Sequence, residues 1–172
     1  METPIFGHAA VATPHHPASE TGQRILIQGG NAIEAMIAMA ATIAVTYPHM
    51  NGLGGDGFWL VADARRRVHA IQACGPAGGR ATIGALRDLG HDEVPVRGVL
   101  SSLTVPGAIG GWQVAAEMAR AFGGRLPMAM LMEDAIRHAR DGIAVSASQA
   151  RVEPGEIDAL RDVPGFAAHF MA

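Results

Sequence analysis

Cysteine is nearly absent from this chain: Cys74 is the only one among 172 residues. A lone thiol excludes an intrachain disulfide and a Cys-x-x-Cys metal or redox motif. Aromatic residues are scarce too, at 5%, so the core must rest on Ala, Val, Ile, Leu and Met. Charged residues reach only 17%, with a net charge of -3 and a pI near 6.2. No basic stripe accompanies that balance, which argues against nucleic acid as a partner. The run Arg65-Arg66-Arg67 is read as a solvated turn. Long apolar stretches are missing as well. The longest, Ala35–Tyr47, is interrupted by Thr42 and Thr46 and falls short of the ~18 residues of a membrane span. The N-terminal residues lack a basic segment followed by a long apolar one, so no signal peptide is predicted and a cytoplasmic protein is expected. The 8 histidines show neither HxxxH nor HExxH spacing, and His15 and His16 are adjacent. Neighbouring side chains in extended chain point to opposite sides. No metal and no cofactor are therefore predicted. No G-x-S-x-G elbow is present either.

What is present is apolar and well punctuated. Hydrophobic residues make up 49%, a core-rich balance that suits one domain over residues 1–172. Ala9–Thr13 is short, small and strand-compatible, and Pro14 ends it. Ala18–Gln28 reads as a helix stopped by Gly29-Gly30. Asn31 and Glu34 have capping-box spacing, with Asn in the Ser/Thr role, and open a helix over Ala32–Val45. That helix is apolar on nearly every face, a pattern of central helices in large proteins. Gly57–Ala62 and Val68–Ala73 read as strands joined by a turn over Asp63–Arg67.

Farther on, Thr82–Leu89 makes a short helix closed by Gly90, and His91–Gly98 is a polar connection. Leu100–Val105 is expected to be extended. Ala108–Phe122 is helical, with Trp112, Ala115, Ala116 and Ala119 near one face. Pro127 suits the first turn of a helix over Met128–Arg140, ended by Gly142. Ser146 can cap a further short helix, and Glu153–Arg161 is read as one more. The element order is neither a βαβ alternation nor all-helical. A single hairpin cannot cover so many apolar helices, and a sheet completed by other chain segments would.

The loop Gly52-Leu53-Gly54-Gly55-Asp56-Gly57 satisfies G-x-G-x-x-G. A nucleotide fingerprint needs a strand before it and a helix after it. Here the order is reversed, so the glycines are read as supplying positive φ and close backbone packing. Cys74 has Gln72 nearby and no histidine within two residues, and is read as a buried structural thiol.

The order of glycine turn, apolar helix, Tyr47-Pro48, glycine loop and strand resembles the opening of the gamma-glutamyltransferase family, which are N-terminal nucleophile amide hydrolases. The resemblance continues through Gly75-Pro76-Ala77, Thr104-Val105-Pro106-Gly107-Ala108, Gly111-Trp112, Gly124-Arg125-Leu126-Pro127, and Ala135-Ile136 with Gly142–Ser146. Each block is weak by itself; their order is specific. The resemblance implies an α+β fold: the N-terminal, large-subunit part of a four-layer αββα sandwich, incomplete alone, with strands drawn from both subunits. It also implies a threonine nucleophile whose own α-amine is the base, exposed by cleavage at a T-T-H-like site. No such tripeptide occurs in this chain, so no catalytic residue is assigned.

After the hairpin the family carries a motif like F-R-E-x-A-P, whose arginine forks onto a substrate carboxylate. Here the run is Ile71-Gln72-Ala73-Cys74-Gly75-Pro76, and Gln72 stands in the arginine's place. The resemblance is accordingly nearer to the cytoplasmic, oxamate-amidohydrolase-like branch. Asp56 also stands where the family often has glycine.

Two functional readings follow. In the first, the chain is scaffold and pocket wall of an amide hydrolase or acyl transferase. Gln72, Cys74 and the Gly52–Gly57 loop would face a small-molecule amide substrate, and the remaining small-subunit segment would be the partner. In the second, it is a non-catalytic truncated module that self-associates or binds a partner through exposed apolar helices. A hairpin edge with no ligand is the competing reading of all three.

Overall fold

The structure, a computed structural model, describes residues 8–96, 98–101, 104–151, 158 and 160–170. The elements run α1 (His16–Ile27), α2 (Ala32–Thr46), β1 (Gly57–Ala62), β2 (Val68–Ala73), α3 (Ile83–Asp88), α4 (Ala108–Ala121) and α5 (Met128–Asp141). A short helical segment, Phe166–Phe170, closes the series. The architecture is mixed helix and strand.

The capping box predicted at Asn31 is formed. The Asn31 side chain accepts from the Ile33 and Glu34 amides, and the Glu34 carboxylate accepts from the Asn31 amide. Glu34 does more than cap. It is only 3% exposed, and its second oxygen accepts from the Leu126 amide at 2.7 Å. Asn31 Nδ2 donates to the Ala119 carbonyl at the end of α4. One helix start therefore ties three parts of the chain together, and hydrogen bonding compensates the burial of its carboxylate.

Helix α2 is the centre of the molecule. It packs on α1, α4 and α5, and Ile37, Ala38 and Thr42 are fully buried. Ile25 of α1 and Leu131 of α5 join it, with Ala115 and Ala119 from the small-residue face of α4. Polar ties reinforce this helical half. Asp134 of α5 accepts from Thr21 Oγ1 and Arg24 Nε of α1, both at 2.9 Å, and Arg24 also reaches Glu133. Partial burial acts to raise the Asp134 pKa. The hydrogen bonds from Thr21, Arg24 and Arg137 outweigh it and hold the carboxyl below its usual range.

The hairpin forms over the expected residues, with Gly57 opposite Ala73 and Ala62 opposite Val68. Its turn is organised by Asp63, whose carboxylate accepts from the Arg67 and Arg65 amides and pairs with the Arg67 guanidinium at 2.8 Å. The Arg67 amide is the main cause that lowers the Asp63 pKa to about 2. Arg67 is thus a partner within the turn, while Arg65 and Arg66 are exposed as expected.

Several expectations are corrected. Ala9–Thr13 forms no strand and pairs with none among the described residues; Val11 lies beside Gly22 of α1. Leu100 and Ser101 are not extended as expected but belong to a 3-10 turn, Val99–Ser101, while Thr104 makes an isolated bridge to Ala77. Pro127 is the residue before the first turn of α5, not inside it. Ser146 accepts from the Gln149 amide and starts only a 3-10 turn, Gln149–Arg151. Residues 102 and 103, Arg97 in the connection before them, and most of the predicted helix over Glu153–Arg161 lie outside the described residues.

Candidate functional site

Side chains alternate across a strand, and the hairpin shows what that produces here. Trp59, Ile71 and Ala73 face the helices and are buried. Phe58, Leu60 and Ala62 face the other way with Val68, Ala70 and Gln72, and all are exposed. Phe58 is 70% and Leu60 81% exposed. Gln72 is the polar member of an otherwise apolar face.

Between β1 and α2 lies an open groove of about 720 Å³. One wall is β1, the floor is the stripe Ala32, Met36, Ala40, Ile43 and Ala44 of α2, and Trp112 closes one side. Its polar groups, His49, Asn51 and Asp56, come from the loop that leaves α2. This stripe was not anticipated, because a helix apolar all round gives no sign of which face stays bare.

The glycine loop forms the end of the groove. Its glycines do not work as expected. Gly52, Gly54, Gly55 and Gly57 do not adopt positive φ, and the first three have open space where a Cβ would stand. Close approach occurs instead where α4 meets β2. A Cβ on Gly107 would strike the Ala73 carbonyl, and one on Gly111 would strike the Ala73 side chain. The first amides of this junction, Gly107 and Ala108, both donate to the Gly55 carbonyl, at 3.1 and 3.0 Å. Thr104 donates to Asp56 at 3.2 Å. The loop, the segment after β2 and the start of α4 therefore meet at one end of the hairpin.

Gln72 and Cys74 are brought together there: Gln72 Nε2 donates to Cys74 Sγ at 3.2 Å. Cys74 is half-buried rather than sealed, so its side chain is not the closed structural thiol expected from sequence. Neither residue lines the groove; they sit on the hairpin's outer face and at its end. A second polar cluster was not visible in sequence. Tyr47 Oη donates to Ser148 Oγ, and His49 Nε2 lies 2.8 Å from the same oxygen. The Tyr47 ring stands between His15 and His49. Ser148 lies about a hundred residues from its partners in the chain, so no local spacing could signal it. Among the described residues no group of three or more His, Cys, Asp or Glu is placed to hold a metal ion. Among them, too, no helix is long and apolar enough to cross a membrane.

The sequence profile of the gamma-glutamyltranspeptidase family matches residues 18–172. The chain belongs to the gamma-glutamyltranspeptidase family. It is 49% identical over 163 residues to the oxamate amidohydrolase proenzyme of Klebsiella pneumoniae, a match covering 94% of this chain and 30% of that protein. It is 40% identical over 157 residues to the glutathione hydrolase-like YwrD proenzyme of Bacillus subtilis, covering 90% of this chain and 28% of the relative. Among solved structures, the Helicobacter pylori gamma-glutamyltranspeptidase superposes with a TM-score of 0.77 at 27% identity, over 93% of this chain and 44% of that one. The chain thus spans about 30% of the length of these curated gamma-glutamyltranspeptidase relatives. Both are proenzymes by name, and the fold shared with the solved structure is that of the same family.

Proposed function

We propose that this chain is the N-terminal, scaffold-forming part of a gamma-glutamyltransferase-like amide hydrolase or acyl transferase, and that its threonine nucleophile lies on residues beyond these 172. The observation that carries the reading is the hairpin. One face is sealed on the helices, while the other, with Phe58 and Leu60 at 70% and 81% exposure, has no cover among the described residues. Burying a Phe or Leu side chain stabilises a protein by about 1.5–3 kcal/mol, so a face of this kind is built for a second layer. In the complete enzyme that layer is the second sheet of an αββα sandwich, supplied by the small-subunit segment.

The reaction is acyl transfer. The threonine hydroxyl attacks the carbonyl carbon of a small amide, and its own α-amine takes the proton. Backbone N–H groups hold the oxyanion, the amine leaves with a proton, and water or a second amine releases the acyl group. Gln72 and Cys74 contact the substrate. A glutamine offers hydrogen bonds without charge, which suits a small amide acid of the oxamate type better than a glutathione-like substrate that needs a cationic fork. The complete enzyme works in the cytoplasm and uses no cofactor.

The test is co-expression of this chain with the continuation encoded downstream of it. A cleaved two-chain complex with amidase activity is expected. A lone monomer that turns over amide substrate, or a downstream reading frame that ends without a T-T-H-like site, overturns the reading. The same bare face also supports a second reading, a truncated module that self-associates. Under that reading sedimentation of the isolated chain shows a stable dimer and no continuation confers activity.

A further inference from the structure

The end of the hairpin where Gln72 and Cys74 meet holds acceptors and one carboxylate. The strands stay in register up to Gly57 opposite Ala73, with Phe58 opposite Gln72. One step farther, Asp56 comes across from Cys74. Side chains two residues apart along a strand share a face. Asp56 therefore follows Phe58, and Cys74 follows Gln72, on the outer side of the hairpin. The start of α4 fixes the same closeness. The Gly107 amide donates to the Gly55 carbonyl at 3.1 Å, and a Cβ on Gly107 would stand 3.2 Å from Cys74 Cα. Asp56 also lines the loop end of the groove beside β1, so it joins the groove to the Gln72 and Cys74 pair.

Asp56 is held in place but not neutralised. Thr104 Oγ1 lies 3.2 Å from Asp56 Oδ1 and 3.4 Å from Oδ2, so one hydroxyl hydrogen serves both oxygens. Thr104 is anchored in turn by its bridge to Ala77. Asp63 and Asp134, the carboxylates that organise the turn and the helices, have arginine partners. Among the described residues no arginine or histidine pairs with Asp56. His49, at the same end of the groove, is engaged by Ser148. The neighbours of Asp56 add acceptors and no positive charge. Gln72 spends Nε2 on Cys74 Sγ, which leaves its Oε1 as the unengaged end of the amide. A carboxylate, an amide oxygen and a sulfur together suit N–H donors, and the carboxylate repels a second anion.

We infer that Asp56 determines specificity in the proposed amide hydrolase: it accepts the N–H bonds of a primary amide and turns that end of the substrate toward the hairpin. The inference rests on the proposed function, which brings substrate to Gln72 and Cys74. The carboxylate of a small amide acid then points away from Asp56. The amide nitrogen is neutral when it binds. In the tetrahedral intermediate it takes the proton that the α-amine removed from the threonine hydroxyl. The C–N bond then breaks, its electron pair stays on nitrogen, and ammonia leaves. Asp56 gains and loses no proton in this sequence. Its hydrogen bonds strengthen as the nitrogen becomes cationic. Interactions that strengthen toward the transition state act on kcat more than on KM. Thr104 is a positioning residue, which aims the carboxylate without touching substrate.

The experiment uses oxamate as substrate and oxalate as inhibitor of the co-expressed enzyme, with rates normalised to the amount of cleaved complex. The two molecules have the same size and shape, and oxalate carries an anionic carboxylate where oxamate carries its primary amide. Asp56→Asn removes the charge and keeps an acceptor for Thr104. In that variant kcat for oxamate should fall about tenfold with a smaller change in KM. Oxalate should bind about tenfold tighter than it does to the parental enzyme. Asp56→Glu, which keeps the charge, should keep the weak binding of oxalate. A merely structural role would weaken both ligands together; only a change in the charge that the site reads moves them in opposite directions. If the parental enzyme is an active amidase and Asp56→Asn leaves both ligands unchanged, or weakens both, Asp56 does not read the amide and the proposed function stands. The same holds if Asp56→Glu binds oxalate as tightly as Asp56→Asn does. If the parental chain yields no amidase with its continuation, both fall together.

Discussion

The helical half and the hairpin half of this molecule are finished to different degrees. Where α1, α2 and α5 meet, apolar side chains are sealed and both buried carboxylates are paired: Glu34 accepts from two amides, and Asp134 accepts from Thr21 and Arg24. The hairpin is sealed on one side only, and its other side is as apolar as the core it lacks. The same residue types thus serve two purposes. In the helical half they stabilise this chain; on the outer face of the hairpin they contribute little until something covers them.

That contrast can be tested by substitutions of similar size in the two halves. The largest effect is expected from Ile37→Ala, since Ile37 is 0% exposed. It should cost about 3 kcal/mol in urea unfolding of the isolated chain. A loss below about 1 kcal/mol would show that the centre of α2 is not the core it looks to be. Glu34→Ala comes next, at about 2 kcal/mol, because it strands the half-buried Leu126 and Asn31 amides. Restoration by Gln, which keeps an acceptor, should be partial.

Asp134→Asn should cost about 1.5 kcal/mol near neutral pH, and its effect should vanish in acid. The sign follows from the depressed pKa of Asp134 in the folded chain. Its stabilisation is present above the unfolded carboxyl range near 4 and is lost as pH falls through the folded value. Asp63 follows the same direction, and its carboxyl should titrate by NMR with a midpoint at about 2. A midpoint near 4 would mean that the turn is not held by the Arg67 amide. The smallest effect is expected from Leu60→Ser on the bare face: within about 0.5 kcal/mol in the isolated chain. In the co-expressed complex the same substitution should become costly. Equal costs in both settings would erase the contrast between the two halves.

Much of the fold was legible because it is written in local signals. The Asn31/Glu34 spacing announced a capping box, and the β-rich composition of Gly57–Ala62 and Val68–Ala73 announced the hairpin. Gly142 marked the end of α5. The candidate site was legible only in part. Gln72 and Cys74 were singled out and do touch, yet the groove lies elsewhere, on a stripe of α2 that looks in sequence like any other face of that helix. The glycine loop misled, because glycines at 52, 54 and 55 were read as tight, whereas close approach belongs to Gly107 and Gly111.

By itself the sequence determined the elements, their caps and turns, and the family resemblance, since each depends on residues within a turn or a strand of one another. Only the tertiary structure decided which apolar surfaces are spent and which remain. A side chain's burial depends on elements brought together from distant parts of the chain, and no local pattern records whether a partner has arrived. Ile37 and Leu60 are equally apolar in sequence; one is at the centre of the helices and the other faces outward from the hairpin.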